Sequence, residues 1–205
     1  MIIVDKYNLP DKSLLHPNDA FGRFLVFSPS KTMIVLGRAS KISDELKFEQ
    51  VERDKLQVIR RFSGGCSVLI SPKTLIVSFA LYNFKKKNSN DYFKMFNEII
   101  IEAFKNNNIS GLESNGISDL TLIGKKIAGS SIYYNKDVVF YHTVINLCED
   151  PKIFGRYLKF PPRVPSYRRN REHEDFITSL KQNRILLNLV TFERELLIQW
   201  SKLDN

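Results

Sequence analysis

The chain has 205 residues, 43% hydrophobic and 26% charged, an ordinary globular balance with enough length to bury the core of one domain. No run approaches the ~18 apolar residues of a membrane span, and the N-terminal MIIVDKYNLP turns polar at Asp5 and Lys6, unlike a signal peptide. The net charge of +9 asks for an anionic partner, yet no RNP-like strand, zinc-finger spacing or helix-turn-helix signature is present, so nucleic acid is not expected.

The two cysteines, Cys66 and Cys148, form no CxxC pair, which argues against a disulfide scaffold or zinc site and for a reducing cytoplasm. The densest basic patches are Lys85-Lys86-Lys87 and the cluster Arg168, Arg169, Arg171.

In chain order, TMIVLGR (32–38) predicts a strand and turn, and 41–51 has a helix-compatible composition with weak periodicity. LQVIRR (56–61) predicts a strand running into RRFSGGCSVLI (60–70). TLIVSFALYNF (74–84) predicts a central strand. Phe93, Phe96, Ile100, Ala103 and Phe104 recur at helical spacing, so a helix is expected over 91–107, capped by Ser89 or Asn90. Three strands follow, DLTLIG, KKIAGSSIYYN and DVVFYHTVINL, with turns at Gly124-Lys125 and Asn135-Lys136-Asp137. A short helix is expected after Pro151, then a proline-rich charged crossing, FPPRVPSYRRNREHED. A last helix over 191–203 would place Leu196, Leu197 and Trp200 on one face, with Thr191 as N-cap. Runs of strands with few helices between them indicate an α+β fold with a mixed, mostly antiparallel sheet flanked by helices.

Three stretches carry chemistry. In Arg60-Arg61-Phe62-Ser63-Gly64-Gly65, glycines admit close approach of backbone amides to a ligand, and arginines offer bidentate bonds to phosphate or carboxylate. Composition alone favours a tight β-turn over an anion site, and no Walker loop is present. In GISDLTLIGKKIAGSS (116–131), Asp119 precedes a strand, Lys125 and Lys126 follow a turn, and Ala128, Gly129 and Ser130 are small enough for something to pack against them. A lysine there can hold a negative charge in a partly buried pocket, and a hairpin with solvated lysines is the alternative. In YHTVINLCED (141–150), His142 lies in an apolar strand, where a core role competes with a catalytic one. Glu149 and Asp150 would raise and blunt a Cys148 thiol, which makes Cys66, beside the glycine pair, the better thiol candidate.

Taken in order, VLGR, RRFSGGCSV, SDLTLIGKKIAGSS and YHTVINL resemble the lipoate–protein ligase A family, related to biotin–protein ligases and octanoyltransferases. The family's approximate pattern is RRxSGGGxVxHD, NDLxxxGKKIxGSA and HHGTLL, matched here over about 32–150. The resemblance implies one catalytic domain over 1–205 without a C-terminal accessory domain, which a separate accessory subunit could supply. It implies activation of lipoate with ATP and Mg²⁺ to lipoyl-AMP. The lipoyl group then passes to a lysine of an acidic lipoyl domain (an E2 subunit) or of a glycine-cleavage H protein.

By residue match, Lys126 would be catalytic, binding the carboxylate and α-phosphate region. Arg61, Ser63, Gly64, Gly65, Cys66, Lys125, Gly129, Ser130 and His142 would line the acyl-adenylate site. Asp119 would stand at its adenylate or Mg²⁺ side. Tyr167, Arg168, Arg171 and His173 of 165–180 would form a lid or contact the acceptor. The chain departs from the pattern at Cys66 for the third glycine, at Ser118 for Asn, at Thr143 for Gly, at Ala39-Ser40-Lys41 after VLGR and at VLISPKT for the His-Asp segment. The alternatives are an ATP-independent octanoyl or lipoyl transferase from a carrier protein and a non-catalytic relative. Biotin is less expected, because RRFSGG stands where biotin ligases have a GRGRxGRxW-type loop.

Overall fold

The apolar run 74–81 is buried at every position, because one of its faces meets helices and the other meets a second sheet. A computed structural model describes residues 2–17, 20–82, 84 and 87–204. Its strands fall into two sheets. The smaller has the order β1 (Val4–Lys6), β4 (Gln57–Arg60), β3 (Met33–Leu36), β5 (Val68–Ile70), with parallel pairs except β3–β5. The larger has the order β2 (Gly22–Phe27), β6 (Thr74–Leu81), β10 (Val139–Asn146), β9 (Lys125–Tyr134), β8 (Asp119–Leu122), β7 (Leu112–Asn115), and every pair in it is antiparallel. The α+β class with mostly antiparallel pairing is borne out, with the strands divided between two sheets.

Helices cover the outer faces. Helices α3 (Ser89–Asn106) and α6 (Leu189–Ser201) pack on the larger sheet, where Phe79 of β6 stacks between Phe96 and Trp200 at centroid distances of 5.4 and 5.1 Å. Helices α2 (Phe48–Arg53) and α4 (Pro151–Tyr157) cover the smaller sheet, with Val51, Phe154 and Tyr157 against Ile34, Leu36 and Val58. Between the sheets Tyr7, Val35, Ile59, Ile70 and Ile76 form a third cluster. Side chains alternate faces along a strand, so the register sets what points inward. His142 lies between Ser78 and Ser131, and Val144, two residues on, lies between Ile76 and Gly129.

Several expectations shift. The segment 41–51 is two short helices, α1 (Ile42–Glu45) and α2, because Leu46 turns extended and bridges Leu158. Helix α3 is capped by Asn88, whose side chain accepts from the Asp91 amide at 3.0 Å, one residue before the expected caps. Helix α6 is capped by Asn188, accepting from Val190 and Thr191, rather than by Thr191. Leu197 is 52% exposed while Leu196 and Trp200 are buried, since one residue is about 100° around a helix. Strands β1, β2 and β7 lie outside the runs read as strands. Lys85 and Lys86 of the basic run lie outside the described residues. No helix among the described residues is long and apolar enough to cross a membrane.

Candidate functional site

The loop 60–66 leaves β4 and carries the first motif, and its arginines face inward. Arg61 is 6% exposed. Its guanidinium donates to the carbonyls of Val35 (3.2 Å), Gly64 (2.6 Å) and Cys66 (2.9 Å) and to Ser63 Oγ (3.0 Å). Arg60 donates to the carbonyls of Gly37, Arg38 and Ser40. Buried carbonyls need donors, and here the two arginines supply them. They brace the loop rather than present free guanidinium groups. Burial draws Arg61 down to about 10, so it stays cationic at neutral pH. Gly65 has φ +88°, and a Cβ on it would meet Arg61 Nη2 at 2.9 Å, so both backbone and space require glycine there. The loop is therefore a turn, as one reading of its composition had it, and also one wall of a cavity.

That cavity, about 710 Å³, opens between the two sheets. Its aliphatic lining includes Val35, Ile70, Ile76 and Val144. Of the expected site residues, Arg61, Gly64, Gly65, Cys66, Asp119, Lys126, Gly129, Ser130, His142, Arg168 and His173 line it. Ser63 lies just behind, hydrogen-bonded to His142. Lys125 stands apart: it is exposed at the first position of β9 and does not line the cavity.

At one end Lys126 Nζ pairs with Asp119 Oδ1 at 2.7 Å. The lysine folds over Gly129, where a Cβ would stand 2.7 Å from Nζ, so the small residue three positions on makes room for the ammonium. Tyr167 OH donates to the other Asp119 oxygen at 2.7 Å. Burial, reinforced by Asp119, pushes the Tyr167 phenol up, so it remains a donor.

The crossing 165–180 is pinned over this end. Arg171 donates to the Gly124 and Tyr167 carbonyls. Thr178 N donates to the Lys126 carbonyl at 2.8 Å, beside a parallel bridge between Lys126 and Ile177. The Arg168 guanidinium lies between the rings of Phe160 and Phe176, at 4.5 and 4.7 Å from their centroids. His173 Nε2 bonds the Lys159 carbonyl at 3.0 Å, and burial lowers the pKa of its imidazole.

Behind the cavity wall, on the far side of His142, a second carboxylate, Asp11, is fully buried. It accepts from Tyr7 OH at 2.8 Å and Ser78 Oγ at 2.7 Å. His142 Nδ1 is 3.6 Å from Asp11 Oδ2 and 3.4 Å from Tyr7 OH, and its Nε2 is 2.6 Å from Ser131 Oγ and 2.9 Å from Ser63 Oγ. Burial lowers the His142 pKa, against a smaller upward pull from Asp11, so the ring is neutral at pH 7. Tyr7, Asp11 and the Ser131 hydroxyl were not foreseen. Asp11 sits in an unremarkable PDKSLL segment, and only the register of β9 on β10 brings Ser131 to His142.

Among the described residues no cluster of three or more His, Cys, Asp or Glu is arranged to hold a metal ion. Among the described residues Asp119 is the one carboxylate lining the cavity, and its oxygens already face Lys126 and Tyr167.

The model of the lipoyl protein ligase A/B catalytic domain matches residues 11–196, and the chain belongs to this family. Among curated relatives, the "inactive lipoate–protein ligase 2" of Plasmodium falciparum is 24% identical over 80% of this chain and 51% of that protein. A "probable lipoate-protein ligase A" of Mycoplasma pneumoniae is 29% identical over 66% of this chain and 40% of that protein. The chain thus spans about half the length of these relatives. The fold is shared with a lipoate-protein ligase A solved with ATP (TM-score 0.76, 15% identity, covering 98% of this chain and 83% of that one). It is also shared with the bipartite lipoate protein ligase of Thermoplasma acidophilum, described with its E2 lipoyl domain (TM-score 0.74, 14% identity, covering 88% and 70%).

Proposed function

We propose that this chain activates lipoate with ATP to lipoyl-AMP and transfers the lipoyl group to a lysine of a lipoyl domain or an H protein. The observation that carries this reading is the Lys126 ammonium, held 2.7 Å from Asp119 in a cavity whose lining includes Val35, Ile70, Ile76 and Val144. Condensing a carboxylate with a triphosphate brings two anions together. A fixed ammonium in a partly dry site stabilises the charge that develops between them. The aliphatic walls suit an acyl chain, and the Arg61-braced loop offers the amides of Gly64, Gly65 and Cys66, which have no partner among the described residues.

Mg²⁺, when bound with the nucleotide, would neutralise phosphate charge. Among the described residues Asp119 is the carboxylate in the cavity wall that could contribute to holding it, with phosphate and water oxygens supplying the rest. A net charge of +9 favours encounter with an acidic acceptor domain. The bipartite relative supports a separate accessory subunit as a further partner.

The test is incubation with a lipoyl domain, lipoate and Mg²⁺-ATP, with the acceptor's intact mass as readout. A lipoyl increment that disappears without ATP, and in Lys126→Ala, supports the ligase. A second reading, a non-catalytic relative, is favoured by the likeness to a protein named inactive over 80% of this chain. It predicts lipoate binding with no increment, even when an accessory subunit is added.

A further inference from the structure

Helix α6 is apolar on both sides. Phe192, Leu196 and Trp200 are buried against the larger sheet and α3, with the Phe192 and Phe104 ring centroids 4.6 Å apart. A surface helix ordinarily turns polar side chains outward. Here Leu189, Val190, Leu197 and Ile198 are exposed, Val190 at 79%. Leu186, just before the helix, is 95% exposed. Single exposed apolar residues need no explanation, but a contiguous group of them marks a contact surface. This group is not part of the cavity, which none of residues 186–201 lines.

Residues four apart fall in rows along a helix. Two such rows run side by side on α6, one of Leu189, Glu193 and Leu197, the other of Val190, Arg194 and Ile198. All six residues are exposed. Each row is apolar, charged, apolar, and the two central charges are opposite. Arg194 lies 3.6 Å from Glu195, with 68% of its side chain open to solvent, so it can reach a second carboxylate. A two-fold axis through the middle of the face lays the first row of one copy along the second row of another. Leu189 then meets the partner's Ile198, Glu193 meets the partner's Arg194, and Leu197 meets the partner's Val190. The reciprocal contacts form at the same time, as an isologous interface requires. Rows of this kind interdigitate with the helix axes inclined by about 50°, so the contact centres on Val190, Glu193, Arg194 and Leu197. A parallel arrangement would instead set Glu193 against the partner's Glu193 and Arg194 against the partner's Arg194.

We propose that the exposed face of α6 docks a second copy of this chain, forming an antiparallel two-fold dimer that leaves both cavities clear of the contact. The occupant is identified by the self-complementary pattern, which a surface built for a different protein has no need of. One helix pair buries less than the ~1,600 Å² of a standard interface, so association is expected with a Kd of about 10 µM.

The test is analytical ultracentrifugation of the full chain over a range of about 1–200 µM, with no ligand added. A shift from monomer to dimer with rising concentration is expected. Leu197→Lys should weaken association at least about tenfold, because the two-fold axis counts each substitution twice, and its melting temperature checks that the fold is intact. Glu193→Arg and Arg194→Glu each set like charges against one another and should each weaken the homodimer about threefold or more. Mixing these two variants should restore dimers as a heterodimer, and the double variant E193R/R194E should dimerise like the natural chain. A monomer throughout the concentration range, a dimer that Leu197→Lys leaves intact, or charge variants that do not rescue one another would each overturn the proposal. So would protection of Val190 and Leu197 by an added lipoyl domain or accessory subunit in a chain that stays monomeric alone, since the face would then belong to that partner.

Discussion

Two buried carboxylates, Asp119 in the cavity wall and Asp11 behind His142, are held differently. Asp119 is matched by a full positive charge at 2.7 Å and a phenol. Asp11 is matched by two hydroxyls and an imidazole that burial keeps neutral. A charge–charge pair at the cavity edge keeps an ammonium in place, where it can be redirected to an incoming anion. A charge among neutral donors polarises them without adding a cation. The first suits stabilising phosphate and carboxylate charge, and the second suits moving a proton.

The comparison is broken most severely by removing the cation. Lys126→Met should reduce lipoyl transfer by about 10²–10³ in kcat/KM, the usual cost of losing one charge-stabilising group at a reacting centre. Asp11→Ala in the same assay should leave a larger residual rate. Gly129→Ala sharpens the point. The new Cβ would push against the lysine tip at 2.7 Å, and a flexible side chain yields, so melting should hardly change. The displaced ammonium should nonetheless lower transfer about tenfold, because misplacement of a catalytic group is costly.

At Asp11 the expected effect is on stability. Asp11→Ala leaves the Tyr7 and Ser78 hydroxyls buried without their acceptor, which should cost about 1–3 kcal/mol in chemical denaturation. A pH effect acts on stability as well. His142 and His173 both titrate below an ordinary histidine because they are buried. The unfolded chain therefore binds protons before the folded one does, and stability falls as pH drops through the unfolded value near 6.5. Each histidine can contribute up to about 1.4 kcal/mol per pH unit below that value. The melting temperature should decline from pH 7 to 5, and more shallowly in His173→Asn.

The sequence made the Lys126 end legible because its signal is local. Asp119, Lys126 and Gly129 fall within eleven residues of one hairpin, and small residues beside a lysine already suggested a pocket. The Asp11 cluster depends on partners far apart in the chain. Tyr7 and Asp11 come from the N-terminal segment, Ser63 from the loop after β4, and Ser131 and His142 from paired strands. Only strand register joins them, and register is a tertiary property. The role of Arg60 and Arg61 was half legible. Their proximity to glycines marked a special loop, but composition could not tell a guanidinium that binds ligand from one that binds the loop's own carbonyls. The caps of α3 and α6 erred for a simpler reason: asparagine competes well with serine and threonine as an N-cap, and Asn88 and Asn188 lay just upstream of the expected positions.

The peptide bond between Lys126 and its neighbours also ties the cover to the chemistry. Thr178 N is docked on the Lys126 carbonyl, and Ile177 runs alongside it in a parallel bridge. In the proposed reaction an acceptor lysine would have to pass the crossing to reach Lys126. Lifting it would break the Thr178 N–Lys126 carbonyl bond and free the backbone that carries the ammonium. The crossing and Lys126 are thus joined like a latch and its strike plate, and in the proposed reaction the pace at which that contact opens and closes would bear on turnover alongside the chemical step.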